Sequence, residues 1–193
     1  SFGAWNYTAQ WCTIAEGLSR SFHPKGEHSK GSILDGTGGI TVHHSIYAHD
    51  AARNPRVNTI VLDFRNNIVY NWGYRGGYTT AGPAFINYVN NYFKAGPDTS
   101  KGVRTRIFEP GDDTPRFFFE GNILADGAEQ TDNNQLLIRL PQNAEMEAFT
   151  RTVFVAEAFP APSLTTESAQ NALEHVLAEA GATLPARDSA DTR

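Results

Sequence analysis

A weak repeat of short apolar runs most restricts how this 193-residue chain can fold. The segments VHHSIY, RNNIVY, VNNYFK and EGNILA superpose as a polar pair followed by apolar residues, which aligns His44, Asn67, Asn91 and Asn122. These four positions are separated by 23, 24 and 31 residues. One short group of strands per repeat of this length is typical of a solenoid. The repeat therefore predicts an all-β fold, a right-handed parallel β-helix, with a ladder of polar side chains at one bend.

The strands are expected in apolar or alternating runs bounded by Gly, Pro, Asn and Asp. These runs are 5–15, 38–49, 59–73, 84–94, 116–124, 135–140 and 151–159. Residues 95–115 are rich in turn-forming types and are predicted to form a loop. A β-sandwich with asparagines in its turns is the alternative interpretation of the same pattern. The repeat length favours the β-helix.

The C-terminal part of the sequence has helical periodicity instead. Apolar residues between Ala169 and Ala180 recur at the i, i+3, i+4 spacing of an amphipathic helix. A serine or threonine between 163 and 166 is expected to cap its start, and Gly181 to follow its end. We expect a single domain over 1–193, in which the helix and a polar tail occupy about 163–193.

The bulk composition excludes several classes of protein. The net charge is −5, whereas nucleic-acid-binding proteins usually carry a basic face, so no nucleic-acid partner is expected. One cysteine allows no internal disulfide and no cysteine-based zinc site. No apolar run is long enough to span a membrane, and no signal peptide is present in the sequence. The sequence begins directly with a strand-like segment, so we expect an open solenoid end to be covered either by further residues of a longer natural chain or, if 193 residues is the full length, by other copies of the chain.

Three histidines, His43, His44 and His49, lie close enough in sequence to suggest a metal site. On a regular strand His43 and His44 point to opposite faces, so they cannot both bind one ion. We therefore expect His44 to be packed in the fold. Two further histidines, His23 and His28, fall in a segment that is predicted to be an exposed loop.

Four basic residues, Lys25, Lys30, Arg53 and Arg56, lie in predicted turns between strands. Aligning YTAQWCTIAEG with ITVHHSIYAHD places Glu16 beside His49, which stacks the turns that follow them. The four cations would then lie on one side of the molecule, near Glu16, Asp50 and the aromatic residues Trp72, Tyr74 and Tyr78. Cations beside aromatic rings suit an anionic carbohydrate. Ordinary solvated surface charges are the alternative.

Five stretches of the sequence resemble the pectate lyase superfamily, the parallel β-helix polysaccharide lyases, and are similar to family 1 pectate lyases. They are WCTIAEGL, HPKGEHSKGSILDG, VHHSIYAHDAARNPR, RNNIVYNWG with YVNNYFKAGP, and NALEHVLAEAGATLPARDSADTR. The resemblance covers most of the chain. It is most specific at Arg53-Asn54-Pro55 and at NNIVYNWG.

The resemblance implies β-elimination on polygalacturonate (pectate) or a related uronic acid polymer. Arg53 matches the family's proton-abstracting arginine, which removes the proton on C5 before the bond to O4 breaks. Lys30 would be the second catalytic residue. The residues that would bind the acidic polysaccharide are Lys25, His28, Arg56, His49 and Trp72. Such a substrate class implies a secreted or periplasmic protein.

The sequence departs from the family pattern at three places. Gly31 occupies the position of the family's lysine, with Lys30 one residue away and Lys25 a second candidate. Asn58 occupies the position of a further arginine, which Arg56 would replace. Calcium is implied as a possible cofactor, with Glu16 as a candidate ligand, although the family's calcium-binding carboxylates lie mostly on the coil before WNYTAQW.

Two other functions remain compatible with the sequence. A non-catalytic β-helix that binds anionic glycans would show binding without turnover. A glycoside hydrolase needs paired carboxylates, and Asp35, Asp50 and Asp63 are scattered along the sequence.

Overall fold

A computed structural model describes residues 3–58, 61–80, 82–125 and 134–182. Short strands occur throughout the first two thirds of the chain. In chain order they are β1 (Tyr7–Gln10), β2 (Thr13–Ala15), β3 (Ile33–Leu34), β4 (Gly39–His43), β5 (Ile46–Ala48), β6 (Arg56–Val57), β7 (Val61–Arg65), β8 (Ile68–Tyr70), β9 (Gly77–Thr79), β10 (Phe85–Val89), β11 (Tyr92–Lys94), β12 (Phe108–Glu109), β13 (Arg116–Glu120) and β14 (Ile123–Leu124). Two α-helices follow, α1 (Met146–Val153) and α2 (Ala169–Glu179).

The strands form three parallel sheets, and strands that follow each other in sequence go to different sheets. The first sheet has the order β1-β4-β7-β10-β13, the second β14-β11-β8-β5-β2, and the third β12-β9-β6-β3. Each of the first four coils contributes one strand to each sheet, and the coil with β13 and β14 has described strands in the first two sheets. Equivalent strands of neighbouring coils pair with each other. The predicted parallel β-helix is confirmed by this arrangement.

The core of the solenoid lies between the sheets and is built from stacked columns of side chains. Val42 pairs with Phe64, which pairs with Tyr88, and Tyr88 with Phe119. The rings of Phe64 and Tyr88 stack with centroids 4.7 Å apart, and those of Tyr88 and Phe119 with centroids 5.1 Å apart. Parallel pairing places equivalent inward-facing residues directly above one another. One apolar residue per coil at such a position therefore adds a layer to a column of the core.

The predicted polar ladder exists at the bend between the first and second sheets. Asn91 Oδ1 accepts the Asn67 backbone N–H at 2.9 Å, and Asn122 Oδ1 accepts that of Asn91 at 3.1 Å. Asn134 continues the ladder by accepting the Asn122 N–H at 2.8 Å. Side-chain amides thus satisfy backbone donors that the bend would otherwise bury without partners.

The predicted place of His44 in this ladder is wrong by one residue. Ser45 is the residue at the ladder position, since Asn67 Oδ1 accepts its N–H at 3.0 Å. His43 pairs with Arg65, so His44 matches Asn66 and not Asn67. His44 and Asn66 both have a left-handed backbone, with φ of 50° and 54°, which turns the chain before the ladder residue.

The predictions for the C-terminal half were partly wrong. The predicted helix is confirmed as α2, but Ser168 caps it, with its Oγ accepting the Asn171 N–H at 3.2 Å, and no cap comes from 163–166. Gly181 follows the helix with a φ of 89°, as expected. The run 151–159 is not a strand, because its first residues complete α1. The predicted tail over 186–193 lies outside the described residues.

Three further segments also differ from the prediction. Residues 135–140 begin within a short 3₁₀ helix, Asn134–Leu137. The predicted loop 95–115 contains β12. Among the described residues, no helix combines the length and the apolar character that a membrane span requires.

Candidate active site

The turns that lead from the second sheet to the third lie side by side on one face of the solenoid. Glu16, His49 and Asn71 directly follow β2, β5 and β8, and all three have a left-handed backbone, with φ of 56°, 59° and 52°. Ala15 pairs with Ala48, and the Glu16 N–H donates to Ala48 O at 3.0 Å. Glu16 therefore lies beside His49, as the alignment of the two coils predicted, and the turns after them are neighbours.

These turns bring together most of the predicted basic residues around His28. Partial burial lowers the pKa of His28 below 6.5, and the nearby positive charges of His23, Lys30, Arg53 and Lys25 lower it further. The His23 and His28 rings stack with centroids 3.9 Å apart. The positive charges of Lys25, Lys30 and Arg53 thus all act on one imidazole.

The Arg53 turn is fixed by its neighbours on both sides. Arg53 has a φ of 69°, a conformation that non-glycine residues rarely adopt. Its carbonyl accepts the Ser32 N–H at 2.9 Å, and the next residue, Asn54, donates its backbone N–H to Gly76 O at 3.2 Å. The buried Asn54 side chain also donates to Asp50 O at 3.2 Å. The backbone that carries Arg53 is therefore held between the turns of the preceding and following coils.

The backbone geometry explains why Gly31 carries no side chain. A Cβ on Gly31 would lie 2.5 Å from the carbonyl oxygen of Arg53. A lysine at 31 would require the Arg53 turn to move. Lys30 can supply the amine in place of a lysine at 31. Its backbone forms a β-bridge with Ala52.

Lys30 reaches across the turns to an aromatic residue. Its Nζ donates a hydrogen bond to the Tyr74 hydroxyl and also lies 4.5 Å from the centroid of the Tyr74 ring. The neighbouring Arg75 pairs with Glu109 at 2.7 Å and lies 4.7 Å from the Tyr78 ring. The sequence indicated aromatic residues in this region but contained no signal for the Lys30–Tyr74 and Arg75–Glu109 pairs, which join residues 44 and 34 positions apart.

The aromatic residues differ in their access to a ligand. Tyr74 is 49% exposed, whereas Trp72 is 0% exposed and packs edge-on against Phe93 in the core. The prediction that Trp72 binds substrate is therefore wrong, because its side chain has no open face. Trp72 directly follows the bend at Asn71, where the chain places it inside the coil.

The two remaining predicted ligand-binding residues lie at the two ends of the turn that carries Arg53. His49 is exposed, and its Nδ1 contacts the Asn71 side-chain nitrogen at 2.9 Å. Arg56 lies on β6, pairs with Tyr78 of the next coil, and contacts the Asn58 amide at 3.4 Å.

Asp50 is a buried carboxyl group behind these turns. It is 1% exposed, and its Oδ1 accepts the Gly17 N–H at 2.8 Å. Its Oδ2 is buried and has no hydrogen-bond partner among the described residues. That oxygen, the Asn54 Oδ1 and the Arg53 carbonyl all lie within 3.3 Å of the position a Gly31 Cβ would occupy. Burial raises the pKa of Asp50 above 3.8, although the hydrogen bond from Gly17 opposes the shift.

Asp50→Asn is expected to stabilise the fold at pH 8 by about 1–2 kcal/mol. Because the pKa of Asp50 is raised on folding, the folded state favours the protonated form. The stability that the protonated carboxyl group contributes to the folded state is complete below pH 3.8 and is lost as the pH rises through the pKa of the folded state. The amide removes the charge, and its oxygen can still accept the Gly17 N–H. Urea unfolding at pH 8 and pH 4 checks this, with the exposed Asp113→Asn as control; an equal or lower stability at pH 8 would contradict it.

The described residues do not form a calcium site of the expected kind. Calcium takes six to eight oxygen ligands in proteins. Glu16 is exposed at its turn, and among the described residues no group of three or more His, Cys, Asp or Glu side chains is arranged to hold a metal ion. The reaction steps proposed for this chain therefore do not use calcium.

The histidine pair lies elsewhere, at the bend between the first and second sheets. The prediction that His43 and His44 point apart is wrong, because β4 ends at His43 and the left-handed backbone of His44 brings their Nδ1 atoms to 2.8 Å. His44 is buried, as expected, and its Nε2 lies 3.2 Å from Glu167 Oε1. Glu167 also contacts His175 of α2 at 2.8 Å. This cluster attaches the C-terminal segment to the solenoid.

Comparison with known proteins found similarity to curated fungal proteins. The chain is 32% identical over 192 residues to the probable pectate lyase C of Aspergillus flavus, covering 97% of this chain and 42% of the relative. The probable pectate lyase C of Aspergillus oryzae is 31% identical over the same shares of both chains. That of Aspergillus fumigatus is 39% identical over 104 residues, 52% of this chain and 23% of the relative. The chain thus spans less than half the length of these relatives. A comparison with protein-family models found no match.

Proposed function

This chain belongs to the pectate lyase family, and on that premise we propose that it cleaves polygalacturonate, or a related uronic acid polymer, by β-elimination. One observation supports this proposal most strongly. Lys25, Lys30 and Arg53 come from separate positions in the sequence, and their positive charges all act on His28. A polyuronate carries a carboxylate on every sugar, so converging cations match its charge.

Neutralising the substrate carboxylate is the first requirement of the reaction. Removing the proton on C5 builds negative charge next to an existing carboxylate, and fixed positive groups stabilise that charge. Lys30 and Lys25 would contact the carboxylate of the sugar that reacts. Arg56 and His49, at the two ends of the Arg53 turn, would bind neighbouring sugars.

Arg53 would take the C5 proton. It would act as the base in its neutral guanidine form. Its turn is held by backbone hydrogen bonds to the coils on both sides. Once the proton is removed, the electron pair forms the C4=C5 bond and the C4–O4 bond breaks.

The test is turnover by the wild-type 193-residue chain. We expect polygalacturonate to give rising ultraviolet absorbance from the new double bond, which is conjugated to the carboxylate. Assays with a chelator and with added Ca²⁺ measure the calcium dependence that the family implies, whereas no matching group of ligands lies within the described ranges of the chain. The proposal fails if no uronic acid polymer gives this absorbance with or without Ca²⁺. New reducing ends without absorbance would indicate hydrolysis.

A non-catalytic protein that binds anionic glycans is the second candidate. It needs only the positive charges of Lys25, Lys30 and Arg53 near His28, and neither a base nor a proton donor. This alternative predicts that polygalacturonate embedded in a native gel retards the chain, while the absorbance assay stays silent. Retardation with turnover would reject it.

Acidic polysaccharide as the substrate also implies a secreted or periplasmic protein. Fractionation of the culture medium of the source organism would test this location.

A further inference from the structure

The hydrogen bond between Lys30 and Tyr74 joins residues that are 44 positions apart. Lys30 lies in the turn after β2, and Tyr74 lies in the turn after β8. Tyr74 is 49% exposed, so its hydroxyl can contact a ligand bound on this face. A buried tyrosine such as Tyr88, which is 0% exposed, has no such access.

The contact crosses the turn that carries Arg53. The second sheet places β5 between β2 and β8, so the turn after β5 lies between the other two. Lys30 forms a backbone bridge with Ala52, and the Tyr74 N–H donates to Ala51 O at 2.9 Å. Both partners are therefore attached to the residues that immediately precede Arg53. A sugar whose C5 proton faces Arg53 would also lie near the Tyr74 hydroxyl.

The elimination needs a proton donor as well as a base. Breaking the C4–O4 bond leaves an alkoxide on the departing sugar, and general acid catalysis at such an atom contributes about 10²–10⁴-fold. His28 is poorly suited to this task, because its lowered pKa leaves it largely neutral at neutral pH. A phenol hydroxyl carries a transferable proton, and the adjacent ammonium of Lys30 would stabilise the phenolate that remains.

We propose that Tyr74 is the general acid of the elimination, protonating O4 as the C4–O4 bond breaks. This inference rests on the proposed lyase function. In the balanced step, Arg53 gains the C5 proton, the C5–H electron pair becomes the C4=C5 bond, and the C4–O4 pair goes to O4. O4 then takes the proton of Tyr74, and the phenolate pairs with Lys30. Solvent afterwards returns a proton to Tyr74 and removes one from Arg53.

The test is Tyr74→Phe, which keeps the ring that lies under the Lys30 ammonium and removes only the hydroxyl. We expect kcat on polygalacturonate to fall about 100-fold or more, with KM changed by less than about threefold. Tyr92→Phe is the matched control, because Tyr92 is a partly exposed tyrosine on β11 of the second sheet. It is expected to keep wild-type activity. Circular dichroism of both variants checks that they fold.

A second substrate separates proton donation from a positioning role. A galacturonide that carries 4-nitrophenoxide at C4 has a leaving group that needs no proton. On this substrate, wild type and Tyr74→Phe are expected to differ by less than about threefold, because the acid is dispensable there. An equal loss on both substrates would overturn the acid role, as would unchanged activity of Tyr74→Phe on polygalacturonate. An inactive wild type would overturn the lyase function itself.

Discussion

Arg53→Lys is expected to reduce eliminative cleavage of polygalacturonate by at least about 100-fold while the fold is retained. Lysine keeps the positive charge but replaces the planar guanidinium with a single compact ammonium, which cannot reproduce the fork geometry. Lysine can adopt the same backbone torsions as arginine, so the left-handed conformation at φ 69° should persist. The loss should therefore fall on catalysis and not on stability.

Initial rates from the ultraviolet assay, with thermal unfolding of each variant, measure this expectation. Arg151→Lys is the matched control, since Arg151 is exposed on α1 and takes no part in the basic cluster. It should keep wild-type rates. If Arg53→Lys retained more than about a tenth of the wild-type activity, another residue would have to be the base.

Asn91→Ala is expected to lower the free energy of unfolding by about 3–5 kcal/mol. Asn91 is 0% exposed, accepts the Asn67 N–H at 2.9 Å and donates to the Phe64 carbonyl at 2.9 Å. It also donates to Asn122 Oδ1 at 2.9 Å. Alanine removes all three hydrogen bonds together. Each buried donor or acceptor that is left without a partner costs about 1–3 kcal/mol.

Urea unfolding curves of wild type and Asn91→Ala give this difference directly. Asn171→Ala is the control, because Asn171 is exposed on α2 and its change should stay within about 0.5 kcal/mol. A loss below about 1 kcal/mol for Asn91→Ala would show that the ladder is not a main source of stability. Loss of the bend would also shift the adjacent strands, so a large effect supports the ladder as the feature that aligns the coils.

The first two sheets could be predicted from the sequence because their strands bury side chains in columns. Each run predicted over 5–15, 38–49, 59–73, 84–94 and 116–124 contains one strand of each of these sheets, with the bend between them. The third sheet was not predicted. Its strands have only two or three residues, which is too short for a recognisable alternation. Their positions follow from stacking on the neighbouring coil.

The one-residue error at His44 has a specific physical cause. The polar pairs look alike in sequence, but the left-handed residue before the ladder is a histidine in one coil and an asparagine in the next. Histidine and asparagine can both occupy a polar position in such a bend. The backbone pairing of His43 with Arg65 decides the register, and a shift of one residue moves every side chain to the opposite face.

The sequence by itself determined the parallel solenoid, the asparagine ladder, the C-terminal helix and the set of basic residues, because each depends on local periodicity or residue type. Only the tertiary structure decided which side chains meet. Stacked coils lie about 4.8 Å apart, so residues more than 20 positions apart become neighbours and loop paths determine their contacts. Lys30 thus reaches Tyr74 across the Arg53 turn, while Trp72, which the sequence placed beside the cations, lies in the core.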